Sequence, residues 1–260
     1  MTEPVRHTQF HGGETWRTEL MLLSGFELRH NDSLVELPQT AERLLAFLAI
    51  HDRPLQRSYV AGSLWLDSTD SRSAGSLRSA LWRVHTADEH VIETSSTRLR
   101  LAPDVHVDLR AGLALARQLL DQGPADFDEV AGAQAVVALE GELLPDWYGD
   151  DWLVLPQEQW RQLRLHALEV LADRLARHGA YAAAVAAALS AVRAEPLRES
   201  AHRCLVEVHL AEGNVGEALD AYHRFRRLLM AELRVEPSPR FTDLIVGFIS
   251  HRGAAPHASA

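Results

Sequence analysis

The hydrophobic positions of the chain change their period near Pro103, from short strands and helices to helices alone. Before Pro103, three short segments look like strands, namely residues 20–23, 26–29 and 34–37. The turn signal at residues 30–33 predicts that they form an antiparallel meander. Three segments with helical spacing follow, namely residues 39–51, 57–65 and 71–87. Two further alternating runs, at 90–94 and 98–101, predict a β-hairpin because they are joined by Ser95, Ser96 and Thr97.

This order of elements predicts a winged helix-turn-helix. In that fold, three helices are closed by a hairpin, the third helix enters the major groove of DNA, and the hairpin lies along the backbone or the minor groove. The order of the elements supports DNA binding more strongly than any single residue does.

The predicted third helix is basic although the chain has a net charge of −10. Residues 71–87 include three arginines and no acidic residue. Ala74, Leu77, Leu81 and Val84 form an apolar stripe at helical spacing, so the other side of the helix is available to a partner. Arginines bind phosphates and base edges in duplex DNA. The candidate DNA contacts on the helices and the hairpin are Arg57, Arg72, Ser76, Arg78, Ser79, Trp82, Arg83, Arg98 and Arg100.

Two alternatives stay open in this region. The helix can be an ordinary solvated helix with surface arginines, which are common in an arginine-rich protein. Trp82 can stack on a sugar or a thymine methyl group, or it can turn back and cover a hydrophobic joint with the helical second half. We favour the second position for Trp82.

The second half is predicted to be all helical. Amphipathic helices are predicted at 107–122, 128–139 and 157–178, with an irregular acidic and aromatic segment at 145–155. The inner face of the third of these helices is formed by Leu163, Leu165, Leu168, Leu171 and Leu175.

A repeat follows this long helix. Gly179 aligns with Gly213 in two similar segments, and their spacing of 34 residues is the period of tetratricopeptide helical hairpins. Such hairpins stack into a concave surface that binds protein or peptide. The helices after the two glycines are predicted to end near Pro196 and Pro237, and residues 107–139 and 238–249 are predicted to flank the repeats.

Composition excludes several functions. All 26 basic residues are arginine, so a phosphate-binding loop that needs lysine and a Schiff-base lysine are both excluded. The histidines and the single Cys204 have no metal-site spacing, so we expect no metal, no cofactor and no catalysis, and we expect Cys204 to be a core residue. Asp146, Asp150 and Asp151 lie near aromatics without a partnering base, which favours a packing or interface loop over an active site.

We expect a cytoplasmic protein. The first residues lack a signal peptide, and no apolar run is long enough to cross a membrane. The predicted organisation is an α+β winged helix-turn-helix at 19–105 and an all-α tetratricopeptide-like domain at 106–253, with flexible tails at 1–18 and 254–260.

Several motifs together resemble one family. They are the strands LMLLSGFELRHNDSLVELP, the helix TAERLLAFLAIHDRP, the pair Leu64-Trp65, the segment SLRSALWRV with TRLRLAPDVHVDL, and the pieces P-L-R-E, G-x-x-x-E-A-L-x-x-Y and E-L-x-x-E-P-S-P. In this order they resemble the Streptomyces antibiotic regulatory protein family, which joins an OmpR-type winged helix to a bacterial transcriptional activator domain.

The resemblance implies a transcriptional activator. It places residues 72–86 in the major groove of directly repeated promoter sites, and it places Arg98 on the DNA backbone or in the minor groove. It implies recruitment of RNA polymerase and is compatible with a homodimer on the repeats. We expect neither a receiver domain nor a nucleotide-binding domain in this sequence, so any signal would come through partners, abundance or a ligand of the helical domain.

The alternative function is a protein-interaction scaffold whose winged helix no longer binds DNA. It is motivated by the acidity of the first half, where 11 arginines face 14 acidic residues up to Val105. Steep salt dependence of DNA affinity discriminates the two, because only phosphate contact predicts it.

Overall fold

The computed structural model of the chain describes residues 18–88, 90–121 and 129–253. Its contacts divide the chain at Asp108 into two compact units. The predicted tails at residues 1–17 and 254–260 lie outside the described residues. Thr18, which we assigned to the first tail, is instead the first residue of a strand because its backbone pairs with His30.

Two small sheets and three helices make up the described part of the first unit. In chain order the elements are β1 Thr18–Met21, β2 Glu27–His30, β3 Ser33–Leu34, α1 Gln39–His51, β4 Leu55–Gln56, α2 Arg57–Leu64, α3 Asp70–Ala87, β5 Ile92–Thr94, β6 Arg98–Leu101 and β7 His106–Val107. One sheet has the order β3-β2-β1-β7 and the other has the order β4-β6-β5.

The predicted meander is present as β1, β2 and β3, with antiparallel pairing between neighbours. Its third strand is shorter than predicted and lies at Ser33–Leu34 rather than at 34–37. Beyond it, Val35 donates one more hydrogen bond to the Leu28 carbonyl at 2.8 Å. The strand cannot run on into α1, because Pro38 has no N–H to donate.

The three helices pack around one apolar core. Helix α1 has the predicted bounds, and it ends where Asp52 takes a left-handed conformation with φ of 46°. Leu44, Leu45 and Phe47 of α1 are completely buried, and Leu77 of α3 is almost completely buried. These contacts fix α3 against the core by one face only.

A hairpin of β5 and β6 closes the first unit. It begins at Ile92, two residues later than predicted. Its turn is held by Ser95, whose Oγ accepts the N–H of Arg98 at 2.9 Å. Strand β6 also pairs with β4, and the N–H of Arg57 donates to the Thr97 carbonyl at 2.9 Å. The hairpin is therefore connected directly to the start of α2.

The described elements of the second unit are all helices. They are α4 Asp108–Asp121, α5 Glu129–Glu140, α6 Asp151–Arg177, α7 Tyr181–Ala194, α8 Glu199–Glu212, α9 Val215–Glu232 and α10 Pro239–Gly253. The predicted break at Gly123-Pro124 lies outside the described residues. The prediction that 145–155 is irregular is wrong for its last part, because α6 begins at Asp151. Leu153 and Trp160 are both buried at helical spacing, and this packing carries the helix through Pro156.

The 34-residue repeat corresponds to two helical hairpins, α6–α7 and α8–α9. Gly179 and Gly213 follow the first helix of each hairpin with φ of 80° and 92°. A left-handed residue ends a helix without a steric penalty only when it is glycine, so the two aligned glycines make the same turn. Of the predicted inner face of α6, Leu165, Leu168, Leu171 and Leu175 are completely buried, whereas Leu163 is half-buried.

Candidate nucleic-acid interface

Helix α3 has one buried face and one solvent face. The buried face is formed by Ser73, Leu77, Ala80, Leu81 and Val84. Ala74, predicted to belong to the apolar stripe, is only half-buried, and Ser73 takes its place by donating from Oγ to the Asp70 carbonyl at 3.0 Å. A buried hydroxyl of this kind has no apolar signature, so the pattern of hydrophobic residues cannot reveal it.

The candidate residues on α3 share its solvent side. Five of them are exposed and Ser76 is half-buried, and the exposed ones are Arg72, Arg78, Ser79, Trp82 and Arg83. Among the described residues, none of the three arginines forms an ion pair with a carboxylate. Helix α3 has a single acidic residue, Asp70, at its first position. Its solvent face is therefore positively charged over most of its length.

Helix α9 provides a comparison. It also carries exposed arginines without a carboxylate partner in the described part of the chain, Arg224 and Arg227. On α9, however, Glu217 and Asp220 precede these arginines and Glu232 follows them. Helix α3 carries three arginines and only one acidic residue, so the small number of carboxylates, and not the presence of arginine alone, distinguishes α3.

Trp82 lies on the solvent face of α3, and its side chain is 60% exposed. The Arg83 guanidinium lies over the indole, 5.0 Å from its ring centroid. This cation–π contact keeps an apolar ring on the solvent face of α3.

The two hairpin arginines have different surroundings. Arg98 is exposed and forms no ion pair with any described carboxylate. Arg100 lies directly across from Glu93, and its Nε donates to the Glu93 carboxylate at 2.6 Å. From the sequence alone, Arg98 and Arg100 are equivalent candidates for a DNA contact. Strand register places Glu93 opposite Arg100, so of the two only Arg100 has a carboxylate partner. Of the two, Arg98 is the guanidinium available to an anionic ligand.

Arg57 has a structural contact to the hairpin. It is half-buried at the start of α2, and its Nη1 donates to the Ser95 carbonyl at 3.1 Å. Arg57 also lines a cleft of about 400 Å³ between α2 and α3, together with Asp70 and Arg78. Arg57 therefore joins the hairpin to the two helices at the same surface.

One residue that sequence reasoning missed fixes the end of α3. Asp88 follows the helix, and its carboxylate accepts from Thr18 Oγ1 at 3.2 Å and lies 2.9 Å from His30 Nδ1. The other carboxylate oxygen accepts the His90 N–H at 2.9 Å. Asp88 thereby connects the end of α3 to strands β1 and β2. A single polar residue after a helix gives no sequence signal of such long-range contacts.

In the second unit, residues 141–150 are held along α6 by side chains of that helix. Trp160 Nε1 donates to the Gly141 carbonyl at 2.8 Å, and Gln157 Nε2 donates to the Leu143 carbonyl at 2.9 Å. A cleft of about 480 Å³ lies between this segment and α6. Trp152 Nε1 donates to Asp150 Oδ1 at 2.9 Å, so one of the clustered aspartates has a structural contact.

The second-half motifs make contacts across the helical unit. In P-L-R-E, Arg198 Nε donates to Glu169 Oε1 at 2.7 Å, and the Glu199 carboxylate accepts both the N–H and the Oγ–H of Ser238. Ser238 belongs to the E-P-S-P piece, so the two motifs meet where α10 begins. Burial raises the pKa of the Cys204 thiol to about 12, which agrees with its expected place in the core.

The structure therefore defines a protein of two units, a small α+β unit with one basic helix and a unit of stacked helical hairpins. The chain belongs to the bacterial transcriptional activator domain family, whose sequence profile matches residues 104–246. This confirms the resemblance indicated by the sequence motifs.

The chain is also similar to two curated proteins, both named regulatory protein AfsR. It is 32% identical over 215 residues to the protein of Streptomyces coelicolor, covering 74% of this chain and 21% of that protein. It is 30% identical over 252 residues to the protein of Streptomyces griseus, covering 93% of this chain and 24% of that protein. The chain thus spans about a quarter or less of the length of these relatives.

A solved structure has a similar fold. Mycobacterium tuberculosis EmbR, in complex with a low-affinity phosphopeptide, matches with a TM-score of 0.69 and 20% identity. The match covers 91% of this chain and 66% of EmbR. Within residues 18–88, 90–121 and 129–253, no helix is both long enough and apolar enough to traverse a bilayer.

Proposed function

We propose that this chain is a sequence-specific DNA-binding regulator of transcription, with α3 and the β5–β6 hairpin as its DNA-binding surface. The observation that carries the proposal is the basic solvent face of α3, where Arg72, Arg78 and Arg83 have no carboxylate partner among the described residues. Arg98 extends the same charge onto the hairpin. A helix presented by one buried face beside a hairpin is the arrangement that winged helices use on duplex DNA.

The proposed contacts fall into two kinds. Arginine and serine side chains on a helix in the major groove read base edges, and we assign this role to Ser76, Arg78, Ser79 and Arg83. We assign phosphate contacts to Arg72 near the start of α3 and to Arg98 on the hairpin, because guanidinium–phosphate pairs supply affinity without sequence information. Arg57 supports the hairpin through the Ser95 carbonyl.

The helical unit completes the proposal. The family description names a transcriptional activator domain, and the similar proteins are named regulatory proteins. We propose that the stacked hairpins of the second unit contact RNA polymerase at a promoter, because helical hairpins of this type present extended surfaces to protein partners. Binding of two copies to directly repeated sites belongs to the same proposal.

The test is a selection of random duplex DNA with the purified chain, followed by sequencing. It is repeated with Arg78 and Arg83 both changed to alanine. The matched control changes Arg193 and Arg226 to alanine, two exposed arginines of the helical unit whose removal alters the net charge equally. We expect the parent and the control to enrich the same motif. Each interface arginine that reads a base should contribute about 1 to 3 kcal/mol on that motif.

Equal enrichment and equal affinity for the Arg78 and Arg83 double variant would refute the proposed surface. If the parent enriches nothing even at low salt, the protein-interaction scaffold becomes the better account. The motif then allows a transcription assay with RNA polymerase, in which activation must depend on the same two arginines.

A further inference from the structure

Trp82 is the one large apolar side chain on the solvent face of α3. Its neighbours on that face are small or polar, namely Arg72, Gly75, Ser76, Arg78, Ser79 and Arg83. Around the helix, Trp82 lies between Arg78 on one side and Arg83 on the other, nearly opposite the buried Leu77 and Val84. The ring therefore occupies the middle of the surface that would enter the groove, and not its edge.

The contact with Arg83 limits what the indole can touch. The guanidinium lies over the ring at 5.0 Å from its centroid, so that face of the indole is occupied. The rest of the ring is available, because the side chain is 60% exposed. The carbon edge of this part of the ring gains most from an apolar partner, since burying it against a polar base edge would leave that edge without a hydrogen-bond partner. The indole Nε1–H can at the same time donate to a nearby acceptor.

We propose that Trp82 reads the C5-methyl group of a thymine in the operator. The inference rests on the proposed function and adds the base that this position selects. In the major groove, adenine, guanine and cytosine present hydrogen-bond donors and acceptors, whereas thymine also presents a methyl group. A central apolar ring on the recognition helix thus matches thymine, and the flanking Arg78 and Arg83 match guanines or phosphates beside it.

The test removes only the methyl group. Each thymine of the selected operator is replaced in turn by deoxyuridine, and the dissociation constant is measured by fluorescence anisotropy for the parent and for Trp82→Ala. We expect one replacement to weaken the parent about fourfold, the effect of one buried methyl-sized group. The same replacement should leave binding of Trp82→Ala unchanged. Because the indole is mostly exposed, this variant is expected to fold, which circular dichroism checks.

Leu34→Ala is the matched control, since Leu34 is also 60% exposed in the same unit but lies on β3. It should keep the fourfold effect of the replacement. The inference is overturned if Trp82→Ala weakens binding equally on thymine and deoxyuridine duplexes, because Trp82 would then only position Arg83. It is also overturned if no replacement affects the parent. Failure of the parent to select any motif would instead refute the proposed function, and the inference would fall with it.

Discussion

Glu93 is predicted to weaken DNA binding by the hairpin. It faces Arg100 across the β5–β6 pair, and the Arg100 Nε donates to its carboxylate at 2.6 Å. The pair is exposed, with 42% of the Arg100 side chain and 49% of the Glu93 side chain accessible to solvent. The Glu93→Gln change removes one negative charge from the hairpin and leaves the guanidinium free for a phosphate. Loss of such an exposed pair costs the fold about 0 to 1 kcal/mol, so the hairpin should persist.

The size of the effect follows from counterion release. One additional arginine–phosphate contact steepens the plot of log affinity against log salt by about 0.9. Between 50 and 200 mM salt, the affinity of Glu93→Gln should therefore fall about 3.5 times more than that of the parent. At the lower salt concentration the variant should bind duplex DNA more tightly. Fluorescence anisotropy with one duplex at four salt concentrations measures both quantities.

The chain offers a matched control for this experiment. Glu27 forms a similar exposed pair with Arg29, with side-chain exposures of 48% and 44%, but on strand β2 of the other sheet. Glu27→Gln changes the net charge by the same amount and should leave the salt slope of the parent unchanged. Equal slopes for parent and Glu93→Gln would refute the assignment of the hairpin to the DNA surface. Equal steepening in both variants would show that net charge alone is responsible.

Three further predictions concern the helical unit. Glu199→Ala removes the carboxylate that accepts two hydrogen bonds from Ser238. It should lower the free energy of unfolding, measured by urea denaturation, by about 2 kcal/mol. An unchanged denaturation midpoint would contradict this contact. Gly213→Ala should lower the free energy of unfolding by about 1 kcal/mol, because φ of this residue is 92°. Gly216→Ala, within α9, should instead raise the free energy of unfolding by about 0.5 to 1 kcal/mol. If both substitutions changed it in the same direction, the assigned turn at Gly213 would be contradicted. Cys204, whose pKa burial raises to about 12, should react with a thiol reagent at pH 8 only after denaturation, and rapid labelling of the folded chain would refute its burial.

The helices and the repeat could be predicted because their cause is local. Leu44, Leu45 and Leu48 recur at helical spacing and are completely buried. Helix α1 runs from Gln39 to His51, which confirms the predicted bounds. Gly179 and Gly213 repeat the same left-handed turn, so their spacing is readable without a structure. The basic solvent face of α3 was also readable, because its charges and its apolar stripe lie within one helix.

The parts that escaped prediction depend on contacts between distant residues. Arg98 and Arg100 look alike in sequence, and only strand register pairs Arg100 with Glu93. Tryptophan is a residue type that is often buried, but the position of Trp82 around α3 leaves its side chain exposed. The start of α6 was misplaced because residues 145–155 are acidic and aromatic and predict an irregular segment, whereas the helix begins at Asp151 and Trp160 is buried against the preceding segment. Asp88 has no signal at all, because its partners lie in strands far away in the chain.

A net charge of −10 is compatible with the proposed DNA surface because the charge is unevenly placed. Arginines outside α3, such as Arg29 and Arg226, are paired with Glu27 and Glu236. The paired charges largely cancel, so these arginines contribute little to the electrostatic potential that a DNA duplex meets. The acidic remainder repels a duplex, whereas the solvent face of α3 attracts it, and the contrast favours one docking orientation. An acidic protein of this kind should bind nonspecific DNA weakly at physiological salt. Its affinity for an operator would then depend on base contacts from α3. Replacement of Arg78, Trp82 and Arg83 should therefore abolish the discrimination between operator and random sequence.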